Sequence, residues 1–329
     1  MTDLWAEVPS PMKSEFRKAF CEYAVKNYEK CGRYLSSYVP AAPAGSMPCE
    51  DYFSCMGSSE TVPSGTDFSG GPPSDLPLNI LAMSYGEYSS RLFSEKFLDT
   101  GIYMDPVPAG FFPEVIVIDT KRLGNRRLPD SYEDLADEIY RGEICLIGSP
   151  DIPDPIISLY IYRSLGERAL ISFIENINSF STPSKTLRHI GRSSNCYGSI
   201  FIMPVMFAIA AAQSNGAVIA ECKDGLAAEP LLLLQRDPDQ LHGSERIMEM
   251  KNHSGAFGIY DISAGSVSAS NSCIKSFIYS KIYADILSAH CFIPPEDAGR
   301  VSPVSRDKLI CDDLDTVWKM HRIYQHIQK

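Results

Sequence analysis

The sequence predicts an α/β protein with mainly parallel sheets, divided into two lobes. Short apolar strands alternate with amphipathic helices along the chain, the order typical of βα units. Several strands, such as Val115–Ile118 and Ile144–Ile147, are continuous apolar runs, as expected for a sheet that helices cover on both faces. The chain has 329 residues, more than the roughly 250 to 300 at which a single hydrophobic core usually stops growing. Two lobes are therefore expected.

The first βα unit begins with a strand at Leu4–Val8. Ser10 is placed as an N-cap and Pro11 at the first helical position, which predicts a helix to about Lys30. Residues 38–77 are rich in Pro, Gly and Ser and are interpreted as an irregular insertion. A second strand, Asn79–Met83, leads into a helix that ends near Gly101.

The middle of the chain continues the alternation. Ser131, with the acidic Asp134 three residues later, predicts a helix start by a variant of the capping box. Asp154 followed by Pro155 predicts another helix by a cap and a proline. The later elements expected from apolar periodicity are helices at 167–176 and 184–190, an apolar segment at 199–212, strands at 217–220 and 230–234, and helices at 272–289 and 314–327.

Composition and motifs argue against several functional classes. The net charge of −11 and the pI near 5.1 disfavour nucleic acid as a partner. Apolar runs fall short of the roughly 20 residues that span a bilayer, so no transmembrane segment is expected. The sequence contains no GxSxG elbow, no phosphate-binding GxxxxGK[ST] loop, no HExxH and no GxGxxG after a strand. No cofactor is therefore expected, and an enzyme is the weaker alternative.

The ten cysteines are scattered and form no CxxC pair, which predicts free thiols and a reducing compartment. The first residues carry no basic region followed by an apolar one, so the sequence as given predicts a cytoplasmic protein without a signal peptide. Removal of a leader would instead place it in the periplasm or outside the cell.

Three stretches carry a resemblance to a known family. The most specific combines VIVIDTKRL at 115–123, LPDSYEDL at 128–135 and YRGEICLIGSP at 140–150. The second combines IMPVMFA at 202–208, GAVIAECKDG at 216–225 and EPLLLL at 229–234, and the third is 276–294. Together they resemble ABC-transporter substrate-binding proteins, in the ferric-iron-binding-like branch of class II. Tyr132 stands where that family usually has Trp.

The resemblance implies a two-lobed class II periplasmic-binding-protein-like clamshell with two hinge crossings. Lobe one would comprise 1–115 and 222–329, and lobe two would comprise 116–221. The implied function is a solute-binding protein that holds a small polar or anionic ligand, or a metal ion or its complex, between the lobes. The implied partners are that ligand and an ABC permease. The alternative is a cytoplasmic enzyme on the same scaffold, with Asp151 or Asp224 as its acid or base.

Ligands of open α/β sheets lie beyond the carboxyl ends of strands, against helix N-termini that favour anions. The strand-end loops therefore supply the candidate ligand-binding residues, to which one tyrosine is added because ferric-binding relatives use tyrosines. The set is Ser10, Pro11, Lys13, Ser84, Tyr85, Gly86, Ser149, Asp151, Tyr197, Asp224 and Gly225. Each also has a structural interpretation, as a cap, turn or packed aromatic, and the metal ligands, if any, stay unknown.

Overall fold

The computed structural model describes residues 3–6, 8–9, 12–28, 35, 37–38, 78–83, 104–149, 155–191, 197–240, 248–251, 257–260, 264–303, 305 and 314–327. The chain forms two compact units. Unit 1 comprises Met1–Ala109 and Leu231–Ile286, and unit 2 comprises Gly110–Pro230 and Leu287–Lys329. The lobes predicted from the sequence begin and end at other residues, and that assignment stays a prediction.

The described strands are β1 (Leu4–Ala6), β2 (Ser37–Tyr38), β3 (Asn79–Met83), β4 (Val107–Ile118), β5 (Ile144–Ile147), β6 (Ile177–Ser181), β7 (Ile200–Pro204), β8 (Val218–Ile219), β9 (Ala227–Gln235), β10 (Met248–Lys251) and β11 (Phe257–Tyr260). The described α-helices are α1 (Lys13–Lys26), α2 (Thr120–Leu123), α3 (Pro155–Leu165), α4 (Glu167–Glu175), α5 (Pro183–His189), α6 (Val205–Asn215), α7 (Ala264–Ile278), α8 (Lys281–Ala289) and α9 (Leu314–Ile327). The α/β fold class predicted from the sequence is confirmed, but the described strands pair antiparallel as well as parallel, where mainly parallel pairing was expected.

In unit 1, β1 lies between β2 and β3 and is parallel to both. The outer side of β3 pairs antiparallel with β9, with Met83 opposite Leu231. Helices α1 and α7 bury aromatic side chains against one another: the Phe20 and Phe277 rings meet edge to face with their centroids 5.2 Å apart. This aromatic cluster is the buried face of α1, where Phe16 and Phe20 follow one another at the four-residue spacing of a helix.

A buried polar network joins the strands of unit 1 to α7. The Asn79 side-chain amide donates to the backbone carbonyl of Asp3 at 3.0 Å, and the Gln235 amide donates to Asn79 Oδ1 at 2.9 Å. Ser270 Oγ donates to the Asp3 carboxylate at 3.1 Å. These side chains are nearly or fully buried, so their mutual hydrogen bonds replace those with water.

In unit 2, β7 lies between β4 and β5. It pairs antiparallel with β4 and parallel with β5, and β6 continues the parallel pairing beyond β5. Strands β4 and β9 each contain a point where the chain passes from one unit to the other, at Ala109–Gly110 and Pro230–Leu231. A third passage, at Ile286–Leu287, lies within α8.

Most predicted elements appear close to their expected bounds, and three differ. Helix α1 begins at Lys13, with Met12 and not Ser10 as its N-cap, and it ends at Lys26 instead of near Lys30. The helix predicted at Ser131 is a pair of 3-10 turns, although the Ser131 hydroxyl does accept the Asp134 amide, at 3.2 Å. The single late helix predicted at 272–289 is two helices, α7 and α8, which break around Tyr279. The helix predicted after Met83 lies outside the described residues.

Candidate functional site

The carboxyl ends of three parallel strands meet at one edge of unit 2. Ile147, the last residue of β5, is opposite Ser181, the last residue of β6. Strand β7 runs parallel beside β5 in the register Cys145 to Phe201, so its end at Pro204 reaches the same edge. The half-buried Ser149 follows β5 by two residues and therefore lies there too. This edge, defined by Ser149, Ser181 and Pro204, is called the carboxyl edge below.

Two helices begin at the carboxyl edge directly after a strand. Helix α5 is capped by Thr182, whose hydroxyl accepts the Lys185 amide at 3.4 Å. Helix α6 starts at Val205 immediately after β7, and its N-cap residue is Pro204, whose side chain cannot form a capping hydrogen bond. The first amides of an α-helix have no partner within the helix, and together with the helix dipole they favour an anion. The start of α6 therefore provides donors at the place where the sequence predicted ligand binding.

A buried acid at the same edge was missed by the sequence reasoning. Glu114 is opposite Pro204 in the β4–β7 pairing and is only 2% exposed. The sequence does contain a signal for Glu114, because this acid directly precedes the apolar run Val115–Ile118. The sequence-based prediction used only the apolar run. The carboxyl group of Glu114 and the first amides of α6 thus belong to residues at the same edge of the sheet.

Asp224 and Gly225 have structural contacts in unit 2. The Asp224 carboxylate accepts the backbone amide of Tyr132 at 2.9 Å. Gly225 has φ +79°, and a Cβ there would lie 3.2 Å from Ser302 Cα. This position therefore needs glycine for its backbone conformation and for the close approach of another segment.

The structure does not bring Tyr197 to the carboxyl edge. Tyr197 precedes β7 by three residues, so it lies near the start of that strand and not at its end at Pro204. Its ring packs against His189 with a centroid distance of 4.4 Å, and Lys185 Nζ lies 5.7 Å from the ring centre. Tyr197 is thus a half-buried aromatic packed on α5.

Lys13, the first residue of α1, is 8% exposed and lies in unit 1. The other predicted site residues lie outside the described residues and stay predictions: Ser10, Pro11, Ser84, Tyr85, Gly86 and Asp151. Within the described ranges, no three His, Cys, Asp or Glu side chains are grouped so that they could hold a metal ion.

The carboxyl edge lies in a segment of the chain that matches a known protein family. Residues 86–244 match the family model described as bacterial extracellular solute-binding protein. The carboxyl edge and Glu114 all lie within that segment. That segment of the chain is therefore similar in sequence to bacterial solute-binding proteins. The resemblance inferred from the sequence motifs is thereby confirmed.

Solved proteins named as ferric binding proteins or as an ABC transporter share the fold over nearly their whole length. The ferric iron-binding protein A of Mannheimia haemolytica, in an open conformation, has a TM-score of 0.60 at 10% identity, covering 99% of this chain and 98% of that one. A Bordetella ferric binding protein has a TM-score of 0.57 at 9% identity, covering 99% and 98%. An ABC transporter protein of Clostridium perfringens has a TM-score of 0.57 at 9% identity and covers both chains completely. At these identities the likeness establishes the fold.

No curated protein matches the sequence. None of the helices in the described part of the chain is long and apolar enough to cross a membrane. The expectation that all cysteines are free is wrong for Cys273 on α7, which is disulfide-bonded. Scattered spacing was a poor guide because cysteines that are distant in sequence can meet in a folded chain. The described free cysteines are Cys21, Cys145, Cys222 and Cys291.

Proposed function

We propose that this solute-binding protein holds a small polar or anionic ligand at the carboxyl edge of unit 2 and delivers it to an ABC permease. The observation that carries the proposal is the uncapped start of α6 directly after β7, beside Ser149 and within the segment that matches the family. Amides at a helix start bind anionic groups without a dedicated side chain. The edge therefore suits a ligand that carries oxygen atoms and negative charge.

A ferric ion or its complex with an anion is the first candidate ligand. Two of the structurally similar proteins bear the name of ferric binding proteins. The edge combines the Glu114 carboxylate, a hard oxygen ligand, with amides that would hold a companion anion. Tyrosines and acids outside the described residues, including Tyr85 and Asp151, are proposed to complete the site.

The proposed mechanism is closure of two lobes around the ligand. Ser10, Ser84 and their neighbours would contact it from lobe one, and Ser149 from lobe two. A ligand can favour the closed form only by binding it more tightly than the open form. Removing a contact on one side should therefore weaken affinity and closure together.

The test is calorimetric titration with ferric citrate, ferric nitrilotriacetate, citrate alone and phosphate, alongside thermal unfolding. We expect at least one of these to bind and to raise the melting temperature. Ser149→Ala should weaken binding by about 1 kcal/mol, or up to about 3 if the hydroxyl meets a charged group. Ser288→Ala, an exposed serine on α8, is the matched control and should bind as the wild type does. Equal affinity in both variants would exclude Ser149 from the site.

A further inference from the structure

The start of strand β9 is held by two buried hydroxyl groups. The Ala227 amide donates to Tyr132 Oη at 2.7 Å, and the Ala228 amide donates to Ser305 Oγ at 3.1 Å. All four residues are fully buried. These two successive amides have side-chain acceptors, and both acceptors belong to unit 2.

The residues just before these alanines are also fixed within unit 2. The Leu226 amide donates to the Arg300 carbonyl at 3.3 Å, and the Leu226 carbonyl accepts the Ser302 amide at 2.8 Å. The Ser302 hydroxyl in turn accepts the Ser305 amide at 3.1 Å, which holds the second hydroxyl in place. The chain is therefore anchored at each residue from Leu226 to Ala228.

Tyr132 is itself rigidly placed. Its own amide donates to the Asp224 carboxylate at 2.9 Å, and its ring packs against Tyr160 with the centroids 4.6 Å apart. Burial raises the pKa of the Tyr132 phenol well above its ordinary value, so the hydroxyl stays neutral at physiological pH. A neutral phenol oxygen can accept the Ala227 amide, whereas phenylalanine has no acceptor and an indole nitrogen only donates.

The chain passes from unit 2 to unit 1 only two residues further on, between Pro230 and Leu231. We propose that Tyr132 and Ser305 are positioning residues of the hinge: they fix β9 to unit 2 up to Ala228, so that bending within β9 is confined to Glu229–Leu231. The functional meaning of this hinge rests on the proposed solute-binding role. Neither residue needs to contact the ligand, since both act through the backbone of β9.

The experiment measures the relative position of the two units without any ligand. Spin labels are attached to p-acetylphenylalanine introduced at Glu138 in unit 2 and at Lys281 in unit 1, whose side chains are each 84% exposed. Double electron–electron resonance then gives the distribution of distances between the labels. The variants are Tyr132→Phe and Ser305→Ala, and the second keeps the test valid if the first fails to fold.

Tyr324→Phe is the matched control. It also removes a buried tyrosine hydroxyl of unit 2, but from α9 and not from a residue bonded to β9. The Tyr324 hydroxyl lies 2.6 Å from Ser158 Oγ. We expect Tyr132→Phe and Ser305→Ala to widen the distance distribution, while the control keeps the wild-type width. Amide exchange should quicken about fivefold at Ala227 in Tyr132→Phe, as for the loss of one hydrogen bond.

An unchanged distribution in both folded variants would overturn the proposal, and so would equal broadening in Tyr324→Phe. Because no ligand is added, these outcomes are independent of whether the protein binds a ferric complex. A failure of the hinge assignment and a failure of the proposed function can therefore be told apart.

Discussion

Replacing Gly225 by alanine should destabilise the protein for two separable reasons. The backbone at Gly225 has φ +79°, a region that costs an L-residue about 1 to 2 kcal/mol. The added Cβ would also lie 3.2 Å from Cα and 3.3 Å from the amide nitrogen of Ser302. That backbone cannot easily retreat, because the Ser302 amide is hydrogen-bonded to Leu226 at 2.8 Å.

Gly216 separates the two effects. It ends α6 with φ +68°, and a Cβ there would meet nothing within 4 Å. Gly216→Ala should therefore cost about 1 kcal/mol, from the backbone conformation alone. Crowding in a packed region typically adds about 1 to 3 kcal/mol to the backbone cost of about 1 to 2, so Gly225→Ala should cost about 2 to 5 kcal/mol.

Urea unfolding of both variants, followed by circular dichroism, measures these free energies. The expected result is a lower midpoint for Gly225→Ala than for Gly216→Ala, with similar slopes. Equal losses would refute the close approach of Ser302. A wild-type midpoint for Gly225→Ala with weakened ligand binding would show that this glycine serves the ligand and not the fold.

Three further predictions concern single side chains. Tyr283 is fully buried and its hydroxyl has no hydrogen-bond partner in the described structure, so Tyr283→Phe should stabilise the protein by about 1 kcal/mol in urea unfolding; a loss of stability would reveal a partner. Burial alone would raise the pKa of Asp134, but the Asp130 amide and the Arg127 guanidinium outweigh it and lower that pKa. The ionised Asp134 therefore stabilises the fold above its unfolded pKa of about 3.9, and this stabilisation is lost as pH falls through the lower folded pKa. Asp134→Asn should be less stable than wild type at pH 7 and equally stable near pH 2. A difference in unfolding free energy that persists at pH 2 would contradict this. Burial raises the pKa of the Cys222 thiol to about 11, so iodoacetamide at pH 8 should alkylate Cys222 far more slowly in the folded protein than in urea, as peptide mass spectrometry would show; equal rates would place it at the surface.

Much of the fold followed from local signals in the sequence. Ile144–Ile147 and Leu314–Ile327 form a strand and a helix at the predicted bounds, because apolar runs and helical periodicity report burial directly. The turns at Ser131 could not be predicted in the same way. The capping contact forms as expected, but whether it opens an α-helix or a 3-10 turn depends on what the following residues pack against.

The sequence predicts which residues lie at strand ends, but it does not predict which side chains contact one another. Ser149 lies at the carboxyl edge because the carboxyl ends of parallel strands share one edge of a sheet. That rule can be applied from the predicted strands alone. Tyr197 was chosen by residue type alone, and the structure places it near the start of β7 and not at its end. The hydroxyl of Tyr132 and the pairing of Cys273 depend on contacts between distant segments, which one sequence does not reveal.

The most direct test of the solute-binding function is small-angle scattering of the protein with and without a saturating ligand identified by the titrations. The proposal predicts that the radius of gyration falls when the ligand binds and that Ser149→Ala requires more ligand to reach the same value. A bound ligand that leaves the radius of gyration unchanged would contradict closure around a solute. Release of a chemically altered ligand would contradict a binding function.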